Sequence, residues 1–209
     1  EILESGGNLT KLSNLQSRPG VREKLLFSDV WGIGPKTAQF LTERGYKSIQ
    51  DLQDRGLSEL NPQQRIGLLR YEDLQLRMPR DEAREISEVV ISEACLILPG
   101  LRGMACGSYR RGKATCGDVD VLLRLPDVES SCGSDSNSMS YFRPLSRKIM
   151  RLCCSLPTSD QSGRKASYMG VCRLAHDAAK HRRIDIKLYP AHQFAFALLY
   201  FTGSDHFNR

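Results

Sequence analysis

Between Arg22 and Arg77 the apolar positions come in short groups separated by turn residues, a punctuation that predicts a small all-helical module. Gly45 stands where a helix would end in a C′ glycine, and Ser48 with Asp51 resembles a capping box. Asn61-Pro62 with Gln64 supplies an N-cap, a proline at the first helical position and a polar third residue. Pro79 then opens a long helix, in which Ile86, Val89, Val90 and Ile97 recur at helical spacing until Pro99-Gly100 ends it. Beyond that point the period shortens toward 2, and residues 104–107, 118–125, 168–174 and 183–189 read as short strands. Residues 141–154 read as a helix between them, residues 129–140 as a Ser-rich, exposed and mobile loop, and a last helix starts at Phe194. The expected class is α+β, an all-helical module followed by a mixed β-sheet flanked by helices.

Composition changes this picture little. The 209 residues are 40% hydrophobic and 26% charged, near the averages for folded domains, and no apolar run reaches the eighteen or so residues of a membrane span. Seven cysteines form no CxxC pair, which argues against a disulfide framework or a zinc site and for reduced thiols. The net charge of +6 permits nucleic-acid binding without requiring it. Its distribution says more. Residues 164–187 carry Arg164, Lys165, Arg173, Lys180, Arg182, Arg183 and Lys187 against only Asp177 and Asp185, so a carboxylate sits inside a basic surface.

The candidate chemistry lies in GSYRRGKATCGDVDV, residues 107–121. Residues i and i+2 of a strand point the same way, so Asp118 and Asp120 share one face while Val119 and Val121 enter the core. Two carboxylates so close repel unless a cation lies between them, and a hard divalent ion such as Mg2+ suits oxygen ligands. A lone DxD is better explained by an exposed strand edge. Here Gly107-Ser108 upstream supplies backbone N–H groups and a hydroxyl at a helix start, suited to phosphate, and Arg111 adds a fixed cation. A third carboxylate comes from HRRIDIK, where basic and apolar residues alternate and Asp185 faces out of the core. Taken alone, Asp185 is equally a surface aspartate paired with Arg183 and Lys187.

Upstream, VWGIGPKT (residues 30–37) joins two short helices through a glycine turn. Gly32 and Gly34 allow close backbone approach to a phosphate, Pro35 presets the first helical turn, and free N–H groups beside Lys36 attract the anion. Such contacts position a duplex without reading its sequence.

These motifs resemble, nearly residue for residue, those of the family X DNA polymerases. The resemblance implies a helix-hairpin-helix fingers module at residues 22–78 and a nucleotidyltransferase palm at 79–190. Residues 1–21 are similar to the tail of the family's lyase domain, and 191–209 to the start of a thumb otherwise missing. It implies an enzyme that adds a deoxynucleoside monophosphate to a primer 3′-hydroxyl, filling short gaps during base excision repair and end joining. Asp118 and Asp120 would bridge two Mg2+ ions, with Mn2+ as an alternative, and Asp185 would bind the ion that activates the hydroxyl. Gly107, Ser108, Arg111, Gly117 and Arg77 would contact the triphosphate, and Arg183 would orient Asp185 and lie on the DNA-binding side. YFTGS (residues 200–204) is similar to the run that closes on the incoming nucleotide. Tyr200, Phe201 and Gly203 would then meet its sugar and base, and Asn208 its minor-groove edge. At Asp205 one branch of the family carries Ala and another Asp. Backbone carbonyls of Ser28, Val30 and Ile33 would hold a Na+ or K+ ion against the DNA backbone. Expected partners are gapped or nicked duplex DNA and a dNTP, with repair proteins recruited through absent domains, no membrane, a monomeric state and a nuclear location. The lyase lysine would lie before Glu1, so no lyase activity is expected. The alternative is a truncated, weakly active DNA-end-binding fragment, and residues 153–167 depart from the family pattern.

Overall fold

A computed structural model describes Asn14, Arg18, residues 20–126 and residues 167–208. The helix expected at 141–154 and the loop at 129–140 lie outside the described residues. The chain divides into two compact units, Glu1–Tyr71 and Glu72–Arg209.

In the first unit, α1 (Val21–Ser28), α2 (Pro35–Glu43), α3 (Ile49–Arg55) and α4 (Pro62–Leu69) enclose a core of Phe27, Val30, Ile33, Leu41, Leu52 and Leu68. The caps behave as their chemistry requires. Asn61 and Gln64 form a reciprocal capping box at 2.9 and 3.0 Å. Ser48 accepts from the Asp51 N–H at 3.0 Å, while the Asp51 carboxylate turns back to the Lys47 N–H. Gly67 is the tight point of this unit, because a Cβ on it would overlap the Trp31 carbonyl of the glycine turn.

The second unit begins within α5 (Tyr71–Gln75) and continues with β1 (Met78–Pro79) and α6 (Arg80–Ile97). The buried stripe of α6 is Ala83, Ile86, Val90 and Ala94, at helical spacing. Val89, expected in that stripe, is exposed, because it lies about 100° around the helix from Val90. The strand expected at 104–107 is Arg102–Ala105 (β2), since Gly107, at φ +53°, already turns the chain into the short helix α7 (Gly107–Arg110). There follow β3 (Thr115–Cys116), β4 (Val119–Arg124), β5 (Ser167–Cys172), β6 (Arg182–Tyr189), α8 (Ala191–Thr202) and α9 (Asp205–Asn208).

The main sheet has the order β2-β4-β6-β5, with β4 and β6 parallel and the outer pairs antiparallel. A second, two-residue ladder pairs β1 with β3, joining the start of α6 to the loop before β4. Val119, Val121, Leu123, Ile184 and Ile186 pack against α6 on one face. On the other face Leu122 packs with Cys106 and Ala197 of α8. Period 2 therefore sends Asp120 to the α8 side with Leu122. The fold is the expected α+β arrangement, a mixed sheet flanked by helices.

Candidate active site

β4 and β6 run parallel with Asp120 and Asp185 as direct register partners. Both side chains thus point to the same face of the sheet, where Phe201 of α8 lines a pocket with them. Asp118 lies one pleat earlier and accepts a 2.7 Å hydrogen bond from Arg183 Nη2. Arg183 is thereby placed on Asp118, where the resemblance expected it to orient Asp185.

The carboxylates lie close enough for neighbouring charge to act on Asp120 and Asp185. Burial, reinforced by the Asp118 and Asp185 charges, pushes the Asp120 carboxyl up to about 7, with Arg183 and Arg111 opposing. Asp185 is also pushed up, chiefly by burial, with Arg183 and Lys187 opposing and Asp118 adding to the effect. Among the described residues no three carboxylate, imidazole or thiol side chains are drawn together tightly enough to form a ready-made metal cage. The donors are nonetheless hard oxygens whose mutual repulsion a divalent cation would relieve, so the residues fit such an ion.

Gly107 is what allows the turn to lie against β4. A Cβ there would overlap Asp120 Oδ2, and the positive φ further excludes larger residues. The Cys106 N–H donates to the Asp120 carbonyl at 2.8 Å, tying the turn to the strand. Burial next to the Asp120 charge pushes the Cys106 thiol up to about 11, so it is an inert packing residue here. Ser108 Oγ is buried with no hydrogen-bond partner among the described residues. That is unusual for a hydroxyl, and it leaves the group free to donate to an anionic oxygen.

Two arginines brace this turn from below. Arg80 lies 4.0 Å from the centre of the Tyr109 ring and donates to the Tyr109 carbonyl. Arg77 donates to Thr115 Oγ1 at 2.8 Å and to the Thr115 carbonyl at 2.7 Å, beside Gly117. Arg77, Gly117 and Arg111 are exposed, so the charged ends stand at the surface of the turn.

The YFTGS run reaches the same place from α8. Arg111 Nη1 donates to the Thr202 and Gly203 carbonyls at 3.0 and 3.2 Å. Phe201 lies under the Lys187 ammonium at 4.6 Å, and the two line a narrow pocket with Asp120, Asp185 and Cys106. Tyr200 is exposed and meets Phe201 edge to face, and its carbonyl accepts from Asn208 Nδ2 at 2.9 Å. Lys187 and Cys106 were not singled out as site residues from sequence, although Lys187 follows from period 2, two places beyond Asp185.

The helix-hairpin-helix residues lie in the first unit. Gly32 has φ +88°, the Ile33 N–H closes a turn on the Val30 carbonyl at 2.9 Å, and Ser28 Oγ donates to the Lys24 carbonyl. Gly34 caps α2 without any side-chain hydrogen bond, so the N–H groups of its first turn remain open beside the exposed Lys36.

Comparison with known proteins bears on both units. Residues 77–191 match the DNA polymerase beta palm family, and residues 25–75 match the fingers domain of DNA polymerase lambda. The chain is 47% identical over its whole length to DNA polymerase lambda of Rattus norvegicus, of which it spans 35%. It is 34% identical, over 97% of its length, to DNA polymerase lambda of Arabidopsis thaliana, spanning 38% of that protein. To the DNA-directed DNA/RNA polymerase mu of Homo sapiens it is 30% identical over 88% of its length. The chain thus spans a little over a third of the two lambda relatives.

Proposed function

The chain belongs to the beta and lambda family of DNA polymerases through its palm and fingers, and on that premise we propose that it is the nucleotidyl-transferring part of a DNA-directed DNA polymerase that fills short gaps. The observation that carries the reading is the register pairing of Asp120 with Asp185, with Asp118 one pleat away and the Asp120 carboxyl pushed up to about 7. Charge so unfavourably gathered on one sheet face is what a cation site requires.

Asp118, Asp120 and Asp185 would hold two Mg2+ ions, or Mn2+ in their place. Bound there, the ions would supply the Lewis acidity that favours a 3′-alkoxide and neutralises the triphosphate. The chain's own residues do the rest. Arg183 holds the Asp118 carboxylate in line. Ser108 Oγ, lacking a partner among the described residues, would donate to a phosphate oxygen, with the Gly107 turn supplying backbone N–H groups. Arg111 would exchange its bonds to the Thr202 and Gly203 carbonyls for the triphosphate, which couples nucleotide arrival to the end of α8. Tyr200 stands exposed to meet the sugar and base, and Asn208 fixes the turn behind it. The α2 N-terminus with Lys36, and a Na+ or K+ ion on the Ser28, Val30 and Ile33 carbonyls, would grip the DNA backbone. Gapped DNA and a dNTP are the proposed partners, and repair in the nucleus the proposed setting.

The test is primer extension on a one-nucleotide gap with Mg2+. We expect one template-directed addition, abolished in Asp185→Ala while gapped-DNA binding persists. Extension that survives Asp185→Ala, or that ignores the template, contradicts the reading. DNA binding without any extension by the unaltered chain would leave the end-binding role in its place.

A further inference from the structure

β6 alternates buried and half-buried positions along its length, with Ile184, Ile186 and Leu188 on the core face and Arg183, Asp185 and Lys187 on the site face. Arg182 has the phase of the aliphatic row, and it is 5% exposed. An arginine in register with three buried aliphatics is costly unless its guanidinium is paired. Each of its three nitrogens is. Nε and Nη2 donate to Oε1 and Oε2 of Glu82 at 2.6 and 2.8 Å, and Nη1 donates to the Leu76 carbonyl at 2.8 Å. Glu82 sits in the first turn of α6, where a carboxylate is also favoured by the helix dipole. One residue earlier, the His181 N–H and Nδ1 both lie 2.9 Å from Asp73 Oδ2.

This fork occupies a particular place. β4 begins pairing with β6 only at Val119 and Ile184, so Arg182 and Arg183 are held in the sheet by β5 alone. Those two residues lead straight to the Arg183–Asp118 bond and to Asp185 beside Asp120. A slip of β6 by one position would turn Asp185 into the core and put Ile184 or Ile186 on the site face. Burial itself opposes that slip, but a slip by two positions keeps every side chain on its face while putting Arg183 or Lys187 beside Asp120. Aliphatic packing resists it only weakly, because Leu, Ile and Val tolerate exchange. A planar fork that fits one carboxylate does not.

We propose that Arg182 and Glu82 form a positioning pair that fixes the register and aim of β6 where it enters the site, so that Asp185 and the Arg183-held Asp118 can share a divalent cation. The inference rests on the cation-binding reading of the three carboxylates. The pair touches neither substrate nor cation. It specifies geometry more than it stabilises the fold, since a buried ion pair and well-packed apolar groups of similar volume are often equally stable.

The test uses Mn2+ alone as the probe, its binding to the chain followed by electron paramagnetic resonance. The variants are Asp185→Asn, the double replacement Arg182→Met with Glu82→Met, and Arg182→Lys. We expect the double variant to unfold at the same denaturant concentration as the parent chain or higher, yet to bind Mn2+ about 10-fold more weakly, the usual cost of losing a partner behind a metal ligand. Arg182→Lys, which keeps the charge without the fork, should fall between the two. A folded double variant that binds Mn2+ as the parent does, while Asp185→Asn does not, overturns the positioning role and leaves the cation site standing. Should the double variant unfold, parent-like binding by Arg182→Lys overturns it instead. If the parent and Asp185→Asn bind equally weakly, the cation reading itself falls and the positioning role with it.

Discussion

Replacing Asp120 with asparagine removes a charge while keeping the shape of the side chain, and its effect should depend on pH in a direction the site dictates. The folded Asp120 carboxyl titrates at about 7, against 3.8 for the unperturbed group. Because the folded value is the higher one, the folded state keeps a proton that the unfolded chain has released. The associated stability is complete below about 4 and is lost as pH rises to about 7. A tenfold change in proton affinity is worth about 1.4 kcal/mol, so between pH 5 and pH 8 the parent chain should lose about 3 kcal/mol that Asp120→Asn does not lose. Urea unfolding in EDTA at the two pH values measures this, with the variant minus parent difference as the readout. Adding Mg2+ at pH 8 should restore much of the parent's deficit and little in the variant. A difference that stays constant between pH 5 and pH 8 would refute the claim that Asp118, Asp185 and burial act together on Asp120.

Gly107→Ala places a methyl group against Asp120 Oδ2 at a positive φ; nucleotide incorporation should fall about 100-fold through misplacement of the carboxylate, measured by single-turnover kinetics. Lys36→Glu should weaken gapped-DNA binding alike for all template sequences and make the salt dependence shallower by about one counterion, and a loss confined to one sequence would contradict a backbone contact. Gly67→Ala forces a Cβ onto the Trp31 carbonyl and should destabilise the helical unit by about 1–3 kcal/mol in urea unfolding, with incorporation by the folded fraction unchanged.

The parts of this structure that are legible in the sequence are those set by local rules. The capping box at Asn61 and Gln64, the proline that opens α6, and the alternation in DVDV and RIDIK each follow from short-range geometry, and each appears where the spacing puts it. What stays hidden depends on contacts far apart in the chain. Nothing in residues 78–79 or 115–116 reveals that they pair, because two-residue strands carry no periodicity. Val89 departs from the expected stripe because apolar character alone does not fix a phase on a helix with neighbouring valines. Arg183 satisfies Asp118, and only the parallel register of β4 with β6 decides that. The buried Arg182 does carry a signal in the sequence, an arginine on the core phase of an otherwise apolar strand face. Its partner Glu82 lies 100 residues away and cannot be named from spacing.

The central claim is best tested by diffraction from crystals of the chain grown with Mn2+ and a non-hydrolysable dNTP, using the manganese anomalous signal. The account predicts a peak about 2.1 Å from carboxylate oxygens of Asp118, Asp120 and Asp185, with the triphosphate against Ser108 and Arg111. A manganese ion bound elsewhere, or a nucleotide seated with no metal between it and these three residues, would contradict it.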